Sequence, residues 1–236
     1  MATKTMTTHQ CGRSLRMVTG LLPVTAAAAL AVLYVVWMRP RLLTWGATDE
    51  EVAGSYPGDD ILSDAGGTTM ATTLPAPPEA VWAWLVQMGG GRGGWYSRDW
   101  LDNNGEPSAD RIVPEWQSLE VGQRLGAPAL AGENWFTVVH VEPCRSLVLR
   151  GAYGMFSGRA FDPGAGPIPR VYVDGIWGFH LTPAPGDQTR LVTRTRGQSR
   201  PRWLARAFGF VIGEPMHVLM QTKQFDHLRD RLGARP

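Results

Sequence analysis

Six side chains in the C-terminal two-thirds of the sequence are of the types that move protons: Asp99, Asp102 and Glu214, and His140, His180 and His217. A carboxyl group buried in an apolar pocket has a raised pKa and can act as a general acid or base. The neighbours of these residues qualify that chemistry. Asp99 and Asp102 stand in "WYSRDWLDNNG", beside a turn, where aspartate commonly caps backbone amides. His140 and His180 alternate with apolar neighbours, as residues on a strand face do. No serine occupies a G-x-S-x-G elbow and no H-E-x-x-H motif occurs. Cys11 and Cys144 belong to no C-x-x-C or Cys/His cluster. Nucleophilic and metal mechanisms are therefore disfavoured, and no cofactor or metal is expected.

The stretch "QMGGGRGGWYSRDW" tests another chemistry. Gly89, Gly91 and Gly94 spell G-x-G-x-x-G, the dinucleotide fingerprint. That loop works only after a strand and before a helix, where helix N-terminal amides meet the pyrophosphate. Here the glycines follow an apolar helical pattern, at the wrong end of the helix dipole for a phosphate. The stretch reads as a helix cap and a flexible hinge, and no nucleotide is expected.

Aromatic residues offer a third chemistry, the recognition of apolar ligands. Trp84, Tyr96, Trp100, Trp116, Trp177 and Phe179 are candidate liners of a pocket, because large apolar faces with one polar handle suit that task. Most such residues are equally at home as core anchors. Met216 and Met220 lie one turn apart on a C-terminal helix and could form a pliable wall, or plain core. Arg194 and Arg196 share one face of a strand. Either they pair with acids on a solvated face, or Arg194 reaches into the cavity and clamps a carboxylate or phosphate.

The elements that would position these groups are legible from periodicity. Thr68 to Leu74 reads as a strand, and "APPEAVWAWLVQMG" as a helix opened by proline in its first turn and ended near Gly89. A short helical turn follows at "WYSRDW". "WQSLEVGQRLG" ends in a strand, and "NWFTVVHVEP" with "RSLVLRG" reads as a hairpin. "RVYVDGIWGFHLTP" and "TRLVTRTRG" are two further strands joined by "APGDQ". The chain closes with "PRWLARAFGFVIG", in which Leu204, Ala207, Phe208 and Val211 share a face. After Gly213 a second helix restarts, with a stripe of Val218, Thr222, Phe225, Leu228 and Leu232. The fold class is α+β, an antiparallel sheet laid against a long amphipathic helix, which can leave a cavity between the layers.

Upstream of that domain the sequence changes character. Residues 1–16 form a basic tail, and Met17–Met38 runs 22 positions without a charge, enough to cross a bilayer as one helix. "VLYVVWM" continues past the small-x-small site Ala29-Leu30-Ala31, which favours an uncleaved anchor over a cleaved signal peptide. Lys4, Arg13 and Arg16 outnumber Arg39 and Arg41 by one, placing the domain on the extracytoplasmic side by a thin margin. Residues 39–67 read as a linker, in which Thr48 and Glu51 could form a capping box. A hydrophobic content of 44%, ten tryptophans and a net charge of +2 fit a folded domain and disfavour a nucleic-acid binder, which would need a basic face.

Over Thr68 to Leu232 the sequence resembles the START/polyketide-cyclase-like (SRPBCC) superfamily of helix-grip proteins. The resemblance rests on "LPAPPEAVWAWLVQMG", "GGWYSRDWLDNNGEPSADRIVPEWQSLEVGQRL", "WGFHLTP", "TRLVTRTRG" and "GEPMHVLMQTKQFDHLR". It implies a curved antiparallel sheet wrapped on a long C-terminal helix, with a cavity between them that holds a lipid, sterol or polyketide. Some members are cyclases or hydrolases and many only bind and carry, so membership alone makes no enzyme. The expectation is a membrane-anchored domain, residues 68–232, that binds or carries a hydrophobic small molecule or lipid. A cyclase- or hydrolase-type enzyme, and a non-catalytic interaction module of a membrane complex, are the alternatives.

Overall fold

The computed structural model describes residues 28–62, 66–127 and 134–233, the side chains of 204–206 excepted. The chain divides into two units, Met1–Leu42 and Leu43–Pro236. In the first, residues 28–42 are helical with a π-helical turn over Tyr34–Met38, and the Arg41 guanidinium lies 4.3 Å above the Trp37 ring. Residues 17–27 of the expected membrane span lie outside the described residues. Among the described residues no helix is long and apolar enough to cross a membrane.

The second unit is built on six antiparallel strands in the order β1-β6-β5-β4-β3-β2. They are β1 (Thr69–Leu74), β2 (Arg124–Ala127), β3 (Asn134–Glu142), β4 (Ser146–Gly154), β5 (Tyr172–Ala184) and β6 (Gln188–Arg200). Alternation sorts their side chains. Met70, Leu74, Leu147, Leu149, Phe179 and Leu191 turn to one face, where they meet Val81 and Leu85 of a helix at Pro78–Val86 and Phe225 and Leu228 of the C-terminal helix. This is the α+β arrangement the sequence calls for: an antiparallel sheet closed on one side by helices.

The C-terminal helix differs from expectation in one respect. Arg202–Phe208 and Glu214–Gly233 do not break at Gly213, because the π-helical turn Gly209–Gly213 joins them into one run. At 1.5 Å per residue the run is on the order of 48 Å long. Phe208 and Val211, expected on its packed face, are exposed.

The segment expected as a linker, 39–67, is instead a strap from Leu43 onward. The Ala71 amide on β1 donates to the Trp45 carbonyl (3.0 Å), and the Trp45 ring stacks on Phe225. A short helix α1 (Asp49–Ala53) follows, opened by the capping box read from the sequence: Glu51 N donates to Thr48 Oγ1 (3.2 Å) and Thr48 N to Glu51 Oε2 (2.8 Å). The strap then crosses the other face of the sheet, where Leu62 is buried with Val148 and Ile176 in a second small core. Thr48→Ala is expected to lower stability by about 1 kcal/mol. Thermal or urea unfolding checks this, and no change would mean that the box does not hold the strap.

Candidate functional site

The helix-side face of the sheet carries an aromatic wall. Register pairs Trp177 with Leu149 and Thr195, and Phe179 with Leu147 and Thr193, so strand alternation alone puts both rings on the helix side. Trp177 tilts on Phe179 (4.8 Å between centroids) and stacks on Trp95 at 5.6 Å and 27°. Phe136 of β3 closes edge-on against Trp95 at 5.2 Å, and Tyr153 of β4 meets Phe136 at 87°. Phe179 and Trp95 are buried, whereas Trp177, Phe136 and Tyr153 keep accessible surface.

A chain of buried amides orients the wall. Trp177 Nε1 donates to Gln221 Oε1 (3.0 Å), Gln221 Nε2 to Gln224 Oε1 (2.8 Å), and Gln224 Nε2 to the Trp95 carbonyl (2.8 Å). Both glutamines lie on the C-terminal helix and are fully buried. A buried amide without partners is costly, so this relay favours one arrangement of helix and wall. Beside Trp177, His217 Nε2 bonds Thr68 Oγ1 (3.0 Å), which bonds Thr195 Oγ1 (2.8 Å), the cross-strand neighbour of Trp177. His217 keeps some accessible surface, yet desolvation by the groups around it pushes its pKa down to about 4. It is thus neutral near pH 7.

The other expected liners sit elsewhere. Trp84 and Tyr96 are buried edge-to-face at 5.7 Å beneath the Arg231 guanidinium, so they fill interior space and do not line a pocket. Burial pushes the Tyr96 phenol up to about 12, and its oxygen accepts a hydrogen bond from Gln87 Nε2 (2.8 Å). Trp100 is 70% exposed on a one-turn helix, Asp99–Asp102. Trp116 is half-buried, with its carbonyl accepting from Arg92 (2.7 Å). Met216 is exposed on the long helix and Met220 half-buried. Arg194 requires correction: it lies on the opposite sheet face, 4% exposed, and donates to Asp59 Oδ1 (2.8 Å). The pairing of Arg194 and Arg196 with an acid explains their shared face.

The glycine stretch is no loose hinge. Gly89 and Gly94 exchange two backbone hydrogen bonds of 3.0 Å, and Gly90 N donates to the Gly126 carbonyl on β2 (2.8 Å). A β-carbon on Gly93 would come within 2.8 Å of both the Tyr96 hydroxyl and the Gln87 carbonyl. These glycines permit close approach and pin "WYSRDW" against the C-terminal helix, where His227 Nδ1 bonds the Tyr96 carbonyl (3.1 Å).

The proton-active groups are dispersed. Asp99 accepts from Ser108 Oγ (2.6 Å), whereas Asp102, 2% exposed, has no hydrogen-bond partner on either oxygen among the described residues. Desolvation raises the Asp102 carboxyl to about 6. The charge of Asp99 adds to the shift, and the Ser97 hydroxyl, near but not in bonding geometry, offsets part of it. His180 bonds Ser146 Oγ (2.9 Å) under the strap, its pKa pushed down to about 4 chiefly by burial. His140 shares that sheet face, and Glu214 begins the helical segment that carries His217. Only His217 neighbours the wall. Among the described residues no group of three or more His, Cys, Asp or Glu could hold a metal. A depression of about 90 Å³ lined by Trp135, Arg150, Phe161 and Asp162 lies on the strap-side face, below the roughly 300 Å³ of ordinary ligand sites.

Phe136, Tyr153, Gln221 and Gln224 were not among the residues the sequence singled out. The glutamines carried a signal: they share the helix face of Phe225 and Leu228, where a polar residue must find a buried partner.

No protein-family model and no curated protein matches the chain. Solved structures do. Protein MLL2253 from Mesorhizobium loti is 21% identical, with 71% of this chain and 98% of that one covered and a TM-score of 0.39. Ms6760 from Mycobacterium smegmatis is 13% identical, covering 71% and 90%, with a TM-score of 0.42. DynU16, of the dynemicin biosynthetic locus, is 17% identical, covering 70% of this chain and 46% of that one, with a TM-score of 0.40. At these values the functional reading rests on this chain's own side chains.

Proposed function

We propose that the domain is a helix-grip module that binds an apolar small molecule or lipid without chemistry, tethered to a membrane by the apolar run Met17–Met38 with the domain on the extracytoplasmic side. The observation that supports it most is the aromatic wall beside the C-terminal helix, of which Trp177, Phe136 and Tyr153 stay partly accessible. Polarisable ring faces with few fixed hydrogen-bond groups suit a ligand recognised by shape and apolar area. A lipid source in the adjacent bilayer would keep such a module supplied.

Titrating the purified chain with an anthroyloxy-labelled fatty acid tests the reading. The probe should bind with enhanced emission, and Trp177→Ala should weaken binding about fivefold, since an aromatic contact contributes about 1 kcal/mol beyond its area. Absence of binding, or equal affinity in the variant, would count against the wall as the site. A catalytic second reading has one observation in its favour, the neutral His217 beside Trp177. On that reading His217→Ala would retain the probe and lose turnover of any substrate found.

A further inference from the structure

One end of the sheet exposes large apolar and cationic side chains together. β4 ends at Gly154, β5 begins at Tyr172 and β6 ends at Arg200, and the register pairs Gly154 with Tyr172 and Tyr172 with Arg200. The loop 155–171 and the start of the long helix therefore leave the sheet at the same end. On these two segments Phe156, Ile168, Trp203, Phe208, Val211 and Ile212 are 48% to 79% exposed. Single exposed apolar residues are ordinary, but six of this size on two segments that leave one sheet end are not. Arg159, Arg170, Arg200 and Arg202 are exposed on the same segments. From Gln188 to Gly213 the sequence has no acid at all. In the loop Asp162 is the one acid, its carboxylate accepting from the Gly164 amide (2.8 Å).

We infer that this end of the domain docks on an anionic lipid bilayer. Trp203, Phe208, Val211 and Ile212 enter the boundary between headgroups and acyl chains, Phe156 and Ile168 enter beside them, and the arginines meet lipid phosphates. Aromatic and aliphatic side chains flanked by arginine are the composition that interfacial helices use. The charges also select this occupant over a second copy of the chain. A symmetric pairing through this surface would oppose the same arginines to each other with hardly an acid to neutralise them. The contact uses none of the residues of the aromatic wall and does not depend on a ligand being bound there.

Spin labels on the full chain, with Cys11 and Cys144 changed to serine, test the contact. Labels go at Phe208→Cys and Ile168→Cys, and at Val121→Cys as an exposed apolar control on the turn before β2. The protein is placed in nanodiscs of phosphatidylcholine alone or with phosphatidylglycerol. With the anionic lipid, labels at 208 and 168 should become accessible to oxygen and shielded from a water-soluble relaxant, while 121 stays aqueous. An arginine near an anionic surface contributes about fivefold in partitioning, so Arg200→Glu with Arg202→Glu should lower the docked population about 25-fold or more. Labels at 208 and 168 that stay aqueous in both lipids overturn the inference. So does label-to-label coupling that is the same in both, which would report a second copy. Trp177→Ala should leave these signals unchanged, which keeps a failure of the ligand site distinct from a failure of the docking surface.

Discussion

Replacing Asp59 with alanine is expected to lower the stability of the domain by about 3 kcal/mol, the low end for removing one partner of a buried ion pair, because Arg194 is buried and Asp59 only partly so. Asp59 Oδ1 accepts from Arg194 Nε at 2.8 Å and from Arg196 Nε at 3.3 Å, and Oδ2 accepts from the Tyr56 amide at 3.1 Å. Without it, the partners of the buried Arg194 guanidinium among the described residues are neutral: Thr69 Oγ1, the Val52 carbonyl and the Tyr56 ring. The loss also loosens the strap over Val148 and Ile176. Burial alone would raise the Asp59 carboxyl, but the bonds from Arg194 and Tyr56 more than offset it and hold the group below its usual value of 3.8. A depressed carboxylate contributes stability that is present above its unfolded pKa and lost as pH falls through the folded one. The gap between wild type and variant should therefore narrow on acidification below about pH 4. Urea unfolding at several pH values measures it. A loss under about 1 kcal/mol would show that the pair does not hold the strap. Asp59→Leu combined with Arg194→Met should recover much of the loss, because the cost lies in an uncompensated charge and not in missing volume.

Asp102→Asn should act in the opposite direction. A carboxyl raised from 3.8 to about 6 stabilises the fold while protonated and loses that contribution as pH rises through the folded value. With one unit worth about 1.4 kcal/mol, the variant gains at most about 3 kcal/mol at pH 8 and nothing near pH 4. His180 has the reverse gradient. Its pKa falls from 6.5 to about 4, so it contributes stability above pH 6.5 that is lost as pH drops toward 4. In the wild type these two gradients oppose each other over the same window, while His217, also held down to about 4, adds a gradient of the same sign as that of His180. With Asp102 neutralised, both histidine gradients are unopposed, and from pH 4 to pH 7 the stability of the variant should climb by about 3 kcal/mol more than that of the wild type. A variant curve that parallels the wild type would refute the Asp102 assignment.

These two residues also mark the limit of what the sequence discloses. Strand alternation and helical spacing place Trp177, Phe179, Phe225 and Leu228 on the packed face, and Thr48 with Glu51 announces its own capping box. The strap is different. Its apolar residues, Leu43, Trp45, Val52, Tyr56, Ile61 and Leu62, follow no helical or strand period, and among what fixes it are the pairs Glu51–Arg190 and Asp59–Arg194, over 130 residues apart in sequence. Spacing cannot reveal such partners. For the same reason Arg194 could be assigned to a strand face but not to a side of the sheet, because Thr193 and Thr195 alternate with Arg194 and Arg196 and neither set is apolar. Trp84 and Tyr96 could be recognised as important, yet whether an aromatic ring lines a space or fills it depends on what packs against it. Here Arg231 and the Gln87 amide do.

An open six-stranded sheet has two outer strands, each with backbone groups free to recruit a passing chain. Here β1 is occupied at Ala71 by the Trp45 carbonyl, and β2 at Gly126 by the Gly90 amide. Two short backbone contacts, both made by segments outside the sheet, thus stand where an incoming strand would begin to pair. The second leaves no room for a side chain, since a β-carbon at Gly126 would lie 2.7 Å from the Gly90 oxygen. Aggregation resistance in this domain then hinges on a glycine that takes part in no core, and Gly126→Val should reopen that margin to fibril-like growth on gentle heating.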